Sequence, residues 1–145
     1  MGVLSAVYVH AMKYNGVILK KLGVLDDELS RLRELGALNT DQLSADHFLK
    51  HGIERSLQIC VEIVIDVAQR ILSLEERAPA ANSFAALEAL ASLGVIADCE
   101  RYRNMVQFRN FVVHRYERVD SVVLVDILAN HLDDLDQFRR EVMQS

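Results

Sequence analysis

The stretch Leu57-Gln58-Ile59-Cys60-Val61-Glu62-Ile63-Val64-Ile65-Asp66-Val67-Ala68 decides the fold. Its β-branched residues would suit a strand. But the apolar run continues on both sides without a turn signal and is too long for one strand, so it reads as helix. We place that helix from about Ser44 to Ser73, capped by Ser44 or Asp46. It is apolar on nearly every side, so it is buried on most sides, by its own bundle or by a second copy of the chain. One polar line interrupts it: Arg55, Gln58, Glu62, Asp66 and Gln69, at steps of three or four.

The neighbours of this helix read the same way. Ile18, Leu22, Leu25, Leu29 and Leu32 recur at helical spacing, which predicts an amphipathic helix from Gly16 to Gly36. After a connection over Glu75–Asn82 that contains Pro79, a short helix runs from Ser83, its cap, to about Leu93, with Gly94 as its stop. A fourth helix starts near Asp98 and reaches about His114. A last helix, about Asp120 to Gln144, carries Leu124, Leu128, His131, Leu135, Phe138 and Val142 in a seven-residue rhythm, the seam of a bundle. The fold class is all-α: an up-and-down bundle of four or five helices over residues 16–145. Residues 1–15 are read as an amino-terminal extension.

Composition narrows the function. The chain has 145 residues, enough for one domain with a real core, and 51% hydrophobic residues, too many for disorder. Glu62 and Asp66 break the most apolar window, so no run approaches the ~20 apolar residues of a membrane span. The amino end has no basic region or cleavage site of a leader, and Ala6 stands where a myristoylation pattern wants Ser or Thr. Cys60 and Cys99 form no paired framework, and Cys60 sits in an apolar run, so a cytoplasmic location is expected. The net charge of −5 argues against a nucleic-acid coat over the whole surface. From Glu100 to Arg118, however, five Arg face two Glu, a local balance of +3. RNA contact would fall there, through Arg103, Arg115 and Arg118. A salt-bridged helix face explains the same charges.

Within that patch lies Arg109-Asn110-Phe111-Val112-Val113-His114-Arg115-Tyr116. His moves protons near neutral pH, and Arg holds phosphate with a planar, permanently charged fork. These are the groups that metal-free cleavage of RNA needs. His114 would take the proton of a ribose 2′-hydroxyl, which attacks the adjacent phosphorus. Arg109 would hold the non-bridging oxygens as charge builds. Asn110 would bond substrate or fix the Arg. A second group, such as His114 of another copy, would protonate the leaving 5′-oxygen, and the product would end in a 2′,3′-cyclic phosphate. No metal or cofactor is called for. Five helical steps of ~100° set position 114 about 140° around the axis from position 109. One straight helix therefore does not converge the two. Either it ends at the His, or a two-fold symmetric homodimer completes the pocket. The plainer readings are a His attracted to a helix carboxyl end and a solvated Arg.

Other candidates carry ordinary explanations too. Glu62 and Asp66 would suit a cation as an i,i+4 pair, or form a solvated or dimer-facing stripe. His47 and His51 share that spacing, which suits zinc, but no third ligand stands near. His131 reads as a partly buried core histidine.

The motif Arg109-Asn110-x3-His114-x-Tyr116, the all-helical pattern and the Asp-rich segment His131-Leu132-Asp133-Asp134-Leu135-Asp136-Gln137-Phe138 together resemble the HEPN superfamily. More narrowly, residues 17–143 are similar to the HepT-like toxins of prokaryotic HEPN–minimal nucleotidyltransferase pairs. The resemblance implies a homodimeric bundle with a composite, metal-independent endoribonuclease site for cellular tRNA or mRNA. Arg109 and His114 match its catalytic positions. Tyr116 matches the tyrosine that the antitoxin nucleotidyltransferase modifies with AMP to silence the toxin, as in type VII systems. Glu62 and Asp66 lie on the helix where relatives carry polar, cleft-facing residues. The runner-up is a non-catalytic accessory subunit that presents nucleotide to a nucleotidyltransferase. A purely structural helical dimer is the third reading.

Overall fold

The computed structural model describes residues 16–115 and 119–145, with side chains except at 113–115. The proposed extension 1–15, Tyr116 and Arg118 lie outside the described residues. Among the described residues there are seven α-helices and no strand. They are α1 (Gly16–Glu34), α2 (Thr40–Ala45), α3 (His47–Leu74), α4 (Ser83–Ser92), α5 (Arg103–Arg115), α6 (Ser121–Asn130) and α7 (Leu132–Gln144). A 3-10 turn, Cys99–Tyr102, leads into α5.

The decisive stretch is helical and forms the middle of α3, whose 28 residues make it the spine of the molecule. Ten of its apolar residues are buried, among them Leu57, Cys60, Val64 and Ile71. Helix α1 lies antiparallel against it: Lys21 pairs with Asp66 at 2.7 Å, and Ser56 donates to Glu28 at 2.5 Å. Helix α7 in turn runs antiparallel to α1, with Arg33 to Asp133 at 3.3 Å and Arg139 to Asp26 at 3.7 Å. Helices α4, α5 and α6 complete the wrapping of α3. The all-round apolar character of α3 is thus satisfied largely within one chain, so it gives no separate reason for a second copy.

Local chemistry sets the boundaries, and several differ from the sequence reading. Asp46 both closes α2 and caps α3, its carboxylate accepting from Leu49 N–H at 3.0 Å. Helix α2 itself follows from a capping box that periodicity does not see: Asn39 and Gln42 each bond the other's backbone N–H at 2.8 Å. Asn82 rather than Ser83 caps α4, accepting from Ala85 N–H at 2.8 Å. Gly94 ends that helix at φ +77°, in the left-handed region glycine enters without steric cost.

The fourth predicted helix is a 3-10 turn followed by α5. Tyr102, fully buried in that turn, donates to the Glu141 carboxylate and meets Phe138 edge-on at 5.7 Å. Glu141 also accepts the backbone N–H of Ala97 at 2.7 Å. These bonds fix where α5 begins.

The last predicted helix is broken at His131 (φ −124°, ψ −2°) into α6 and α7. Polar pairing holds the break: the His131 ring faces Asp126 at 3.2 Å and Asp134 at 3.5 Å, and Asn130 bonds Asp126 at 2.8 Å. His131 is therefore a junction residue with a 40% exposed side chain and not a core histidine. No helix among the described residues is long and apolar enough to cross a membrane.

Candidate functional site

Helix α5 presents the Arg-rich motif, and three connections set its course. Its start is pinned to α7 by Tyr102 and Glu141. Its middle packs on α3. Its end leads to Ser121, whose hydroxyl lies 3.1 Å from that of Ser44, just ahead of α3. Helix α5 thus runs antiparallel to α3, with Arg109–Arg115 heading for the first turns of α3.

Arg109 is half-buried on α5 and Asn110 is exposed beside it, with Arg109 Nη1 to Asn110 Oδ1 at 3.4 Å. The contact is long and exposed, at the limit of a hydrogen bond. The Nε of Arg109 is buried and has no hydrogen-bond partner among the described residues. Such a donor is rare in a protein interior. His114 lies in the final turn of α5, five residues along an unbroken helix, so positions 109 and 114 occupy different faces. One chain alone does not bring the pair together through the helix. Tyr116 and Arg118 fall outside the described residues, as does the side chain of Arg115.

Arg101 and Arg103, the other basic residues of the patch with described side chains, are engaged. Arg103 makes two bonds to Glu100, at 2.6 and 2.8 Å, and stacks on the Phe84 ring at 4.0 Å. Arg101 bonds Asp134 at 2.9 Å. For these two the salt-bridged helix face describes the structure.

Glu62 and Asp66 do not join Arg109. Asp66 is nine residues beyond Leu57, half a turn around α3 from the face that meets α5. There Lys21 at 2.7 Å and Arg70 at 3.3 Å hold it. Burial opposes its negative charge, but hydrogen bonds from Lys21 and Arg70, with their charges, outweigh it and hold the pKa below the usual carboxylate range. Glu62 accepts from Gln58 at 3.1 Å. Two other residues of α3 carry uncommitted atoms: Glu54, which the sequence reading passed over, and His51, which it weighed with His47 as a zinc pair. His51 Nε2 and Glu54 Oε1 are buried without a hydrogen-bond partner among the described residues. Glu54 is seven residues before Val61 on one stripe of α3, the stripe facing α5. The available signal was spacing: His47, His51 and Glu54 share that face. The rings of His47 and His51 lie 4.3 Å apart, yet no group of three or more metal-ligating side chains occurs among the described residues.

Between α3, α5, α6 and α7 lies a half-open cavity of about 550 Å³. Leu57, Met105, Phe108, Phe111, Val123 and Ile127 supply apolar walls, and Asp120, Asp126, Asp134 and His131 line it as well.

Comparison with known proteins places this geometry. Residues 25–142 match the protein family described as Ribonuclease HepT-like. The chain is 25% identical over 126 residues to the mRNA nuclease HepT of Shewanella oneidensis, covering 86% of this chain and 94% of the relative. Among solved structures it resembles the tri-AMPylated Shewanella oneidensis HEPN toxin in complex with MNT antitoxin, with a TM-score of 0.80, 24% identity, and 90% and 99% of the two chains covered. A toxin–antitoxin structure with AMP-PNP gives a TM-score of 0.79 at 24% identity over the same shares. At that identity the structural likeness establishes the fold.

Proposed function

The chain belongs to the HepT-like ribonuclease family, and on that premise we propose that it is the toxin of a toxin–antitoxin pair: a metal-independent endoribonuclease that cuts cellular RNA in the cytoplasm. The observation that carries the reading is the family match over residues 25–142, which spans all of α5 with Arg109, Asn110 and His114. Arg109, half-buried on α5, supports it, because a guanidinium grips phosphate through a planar, permanently charged fork.

In this reading His114 removes the proton of the ribose 2′-hydroxyl. The oxygen attacks the adjacent phosphorus, and the bond to the 5′-oxygen breaks. Arg109, steadied by Asn110, takes up the charge that gathers on the non-bridging oxygens. A proton returned to the 5′-oxygen completes the step and leaves a 2′,3′-cyclic phosphate on one fragment. Positions 109 and 114 occupy different faces of α5, so a two-fold pair of chains would assemble the site from both. Arg115 and Arg118 would carry flanking phosphates. Arg103 would do so by exchanging Glu100 for phosphate. Glu62 and Asp66 support the scaffold of α3 in this scheme.

The antitoxin would be a minimal nucleotidyltransferase, by analogy with the AMPylated Shewanella toxin in its complex. It would place AMP on Tyr116, one residue beyond the end of α5. A bulky anion there competes with RNA phosphate for the same cations. Residues 16–145 form the catalytic domain in this proposal, with 1–15 as an extension.

The test is RNA cleavage by unmodified protein in excess EDTA, beside His114→Ala, with product ends analysed. Cleavage that persists in EDTA, ends in cyclic phosphate and disappears in the variant is expected. Cleavage that survives His114→Ala would sink the assignment. No cleavage by protein confirmed free of AMP would favour the accessory-subunit reading.

A further inference from the structure

We propose that Glu54 of α3 is a positioning residue for Arg109 of α5. Its buried carboxylate oxygen and the Nε–H of Arg109 are two ends of one hydrogen-bonded bridge within a single chain, and His51 is the third arm. What the bridge does for catalysis rests on the ribonuclease reading above; the bridge itself does not.

Among the described residues three buried side-chain atoms lack a hydrogen-bond partner: His51 Nε2, Glu54 Oε1 and Arg109 Nε. Such atoms are rare, because a buried polar group left unmet costs its full desolvation. The fold places all three at one junction. His51 and Glu54 stand three residues apart and share a face of α3. Leu57, three residues beyond Glu54, and Val61 line the cavity together with Met105 and Phe108 of α5. The core-facing stripe that begins at Tyr102 runs along α5 through Val106 to Arg109, while Asn104, Gln107 and Asn110 are exposed. Arg109 therefore starts from the packed side of its helix. The two helices are antiparallel. One turn from Met105 toward Arg109 is thus one turn from Leu57 back toward Glu54, roughly 5 Å in each.

The three atoms are also complementary. An arginine Nε–H only donates, a carboxylate oxygen accepts, and an imidazole nitrogen does either. They make no direct bond to one another. The link is one buried water, which takes about three hydrogen bonds from polar groups that are otherwise unmet. Its consequence is direction. Held at Nε, the guanidinium no longer turns about its stem. Its two outer nitrogens stay on the solvent side, where Nη1 lies 3.4 Å from Asn110 Oδ1. Those two nitrogens form the fork that takes a phosphate through parallel bonds. The exposed contact with Asn110 is too long to fix that fork, whereas a buried bridge fixes it before substrate arrives. Preorganised donors of this kind act where charge develops in the transition state. Glu54 touches no RNA in this scheme and acts only through Arg109.

The experiment is nuclear magnetic resonance of full-length protein labelled with heavy nitrogen at arginine, the Arg109 Nε–H signal being identified by its loss in Arg109→Lys. In wild type that proton should exchange with water roughly tenfold or more slowly than that of exposed Arg55. Glu54→Ala should raise it to the exposed rate. Glu54→Gln keeps the shape and an acceptor oxygen but not the charge, and should fall between. Circular dichroism shows whether each variant folds, and Glu54→Gln carries the test if Glu54→Ala does not. An Arg109 proton that exchanges as fast as that of Arg55 in wild type overturns the proposal, and so does protection that neither Glu54 variant changes. RNA cleavage by the same proteins reads the positioning. Glu54→Gln should lower kcat about tenfold and leave KM within about twofold, the pattern of an interaction made in the transition state. In the Arg109→Lys background, followed with enzyme in excess, the same change should cost nothing further. Equal losses in both backgrounds overturn the positioning role, since a merely structural defect acts on both alike. A wild type with a protected Arg109 proton that cuts no RNA counts against the ribonuclease reading alone.

Discussion

Replacing Tyr102 with Phe tests how α5 is held. The hydroxyl of Tyr102 donates to Glu141 from a fully buried ring, and burial, then that bond and the Glu141 charge, raise its pKa far above the ordinary tyrosine value. Tyr102→Phe keeps the ring and its edge contact with Phe138, so no packing is lost. What is lost is one hydrogen bond to a charged acceptor, worth about 1.5–3 kcal/mol. Glu141 keeps the Ala97 N–H at 2.7 Å, so its carboxylate is not orphaned, and the lower half of that range applies.

We expect a loss of about 2 kcal/mol in urea unfolding followed by circular dichroism, with an unchanged m-value, or roughly 4–8 °C in Tm for a chain of this size. The pH dependence supplies a second signature. A tyrosine whose pKa is raised on folding contributes its full stability below the unfolded value of ~10 and loses it as pH climbs toward the folded one. Wild type should therefore shed stability faster than Tyr102→Phe above pH ~10, and the two curves should converge there. RNA cleavage by the folded variant at neutral pH should change little, since the hydroxyl touches no substrate. A stability change under about 0.5 kcal/mol, or an alkaline limb identical in the two proteins, would refute the reasoning, because a bond of this kind is expected to exceed that.

Two further expectations follow from charge and burial. Asp66, its pKa held low by Lys21 and Arg70, contributes stability above the unfolded value near 3.8 and loses it as pH falls through the folded value; Lys21→Met should blunt that acid loss in pH-dependent unfolding. Burial, with the Glu28 charge, pushes the Cys60 thiol up to about 12, so alkylation of native protein followed by peptide mass analysis should modify half-buried Cys99 and spare Cys60 at neutral pH.

The elements most legible in the sequence were those whose cause is periodic. The stripe from Ile18 to Leu32 and the apolar middle of α3 both appear as read, because burial repeats every third or fourth residue. The breaks were less legible, because their causes are single hydrogen bonds. Nothing periodic announces that Asn39 and Gln42 will close a capping box, or that His131 will turn between two carboxylates. Heptad spacing runs straight through that junction. At the site, residue type pointed to Arg109 and Asn110, which the structure sets side by side. The polar line on α3 takes the plainer of its two readings, a paired and solvated stripe, with Glu62 and Asp66 answering Gln58, Lys21 and Arg70. The uncommitted polar atoms of α3 belong to His51 and Glu54: spacing puts them on one face, and burial shows that they lack partners among the described residues.

Helix α3 acts as a partition wall. One side is occupied by α1 and its ion pairs, the other by α5 and the hollow beside it. A change on the α1 side reaches Arg109 across a helix of close-packed Leu, Val and Ile, or the long way round through α7, which pairs with α1 and holds the start of α5. The two sides are thus free to drift at different rates. Substitutions along α1 can accumulate and compensate one another locally while α5 stays under separate constraint. A deep mutational scan should look lopsided about this helix, with growth inhibition tracking residues on one side and abundance alone tracking those on the other.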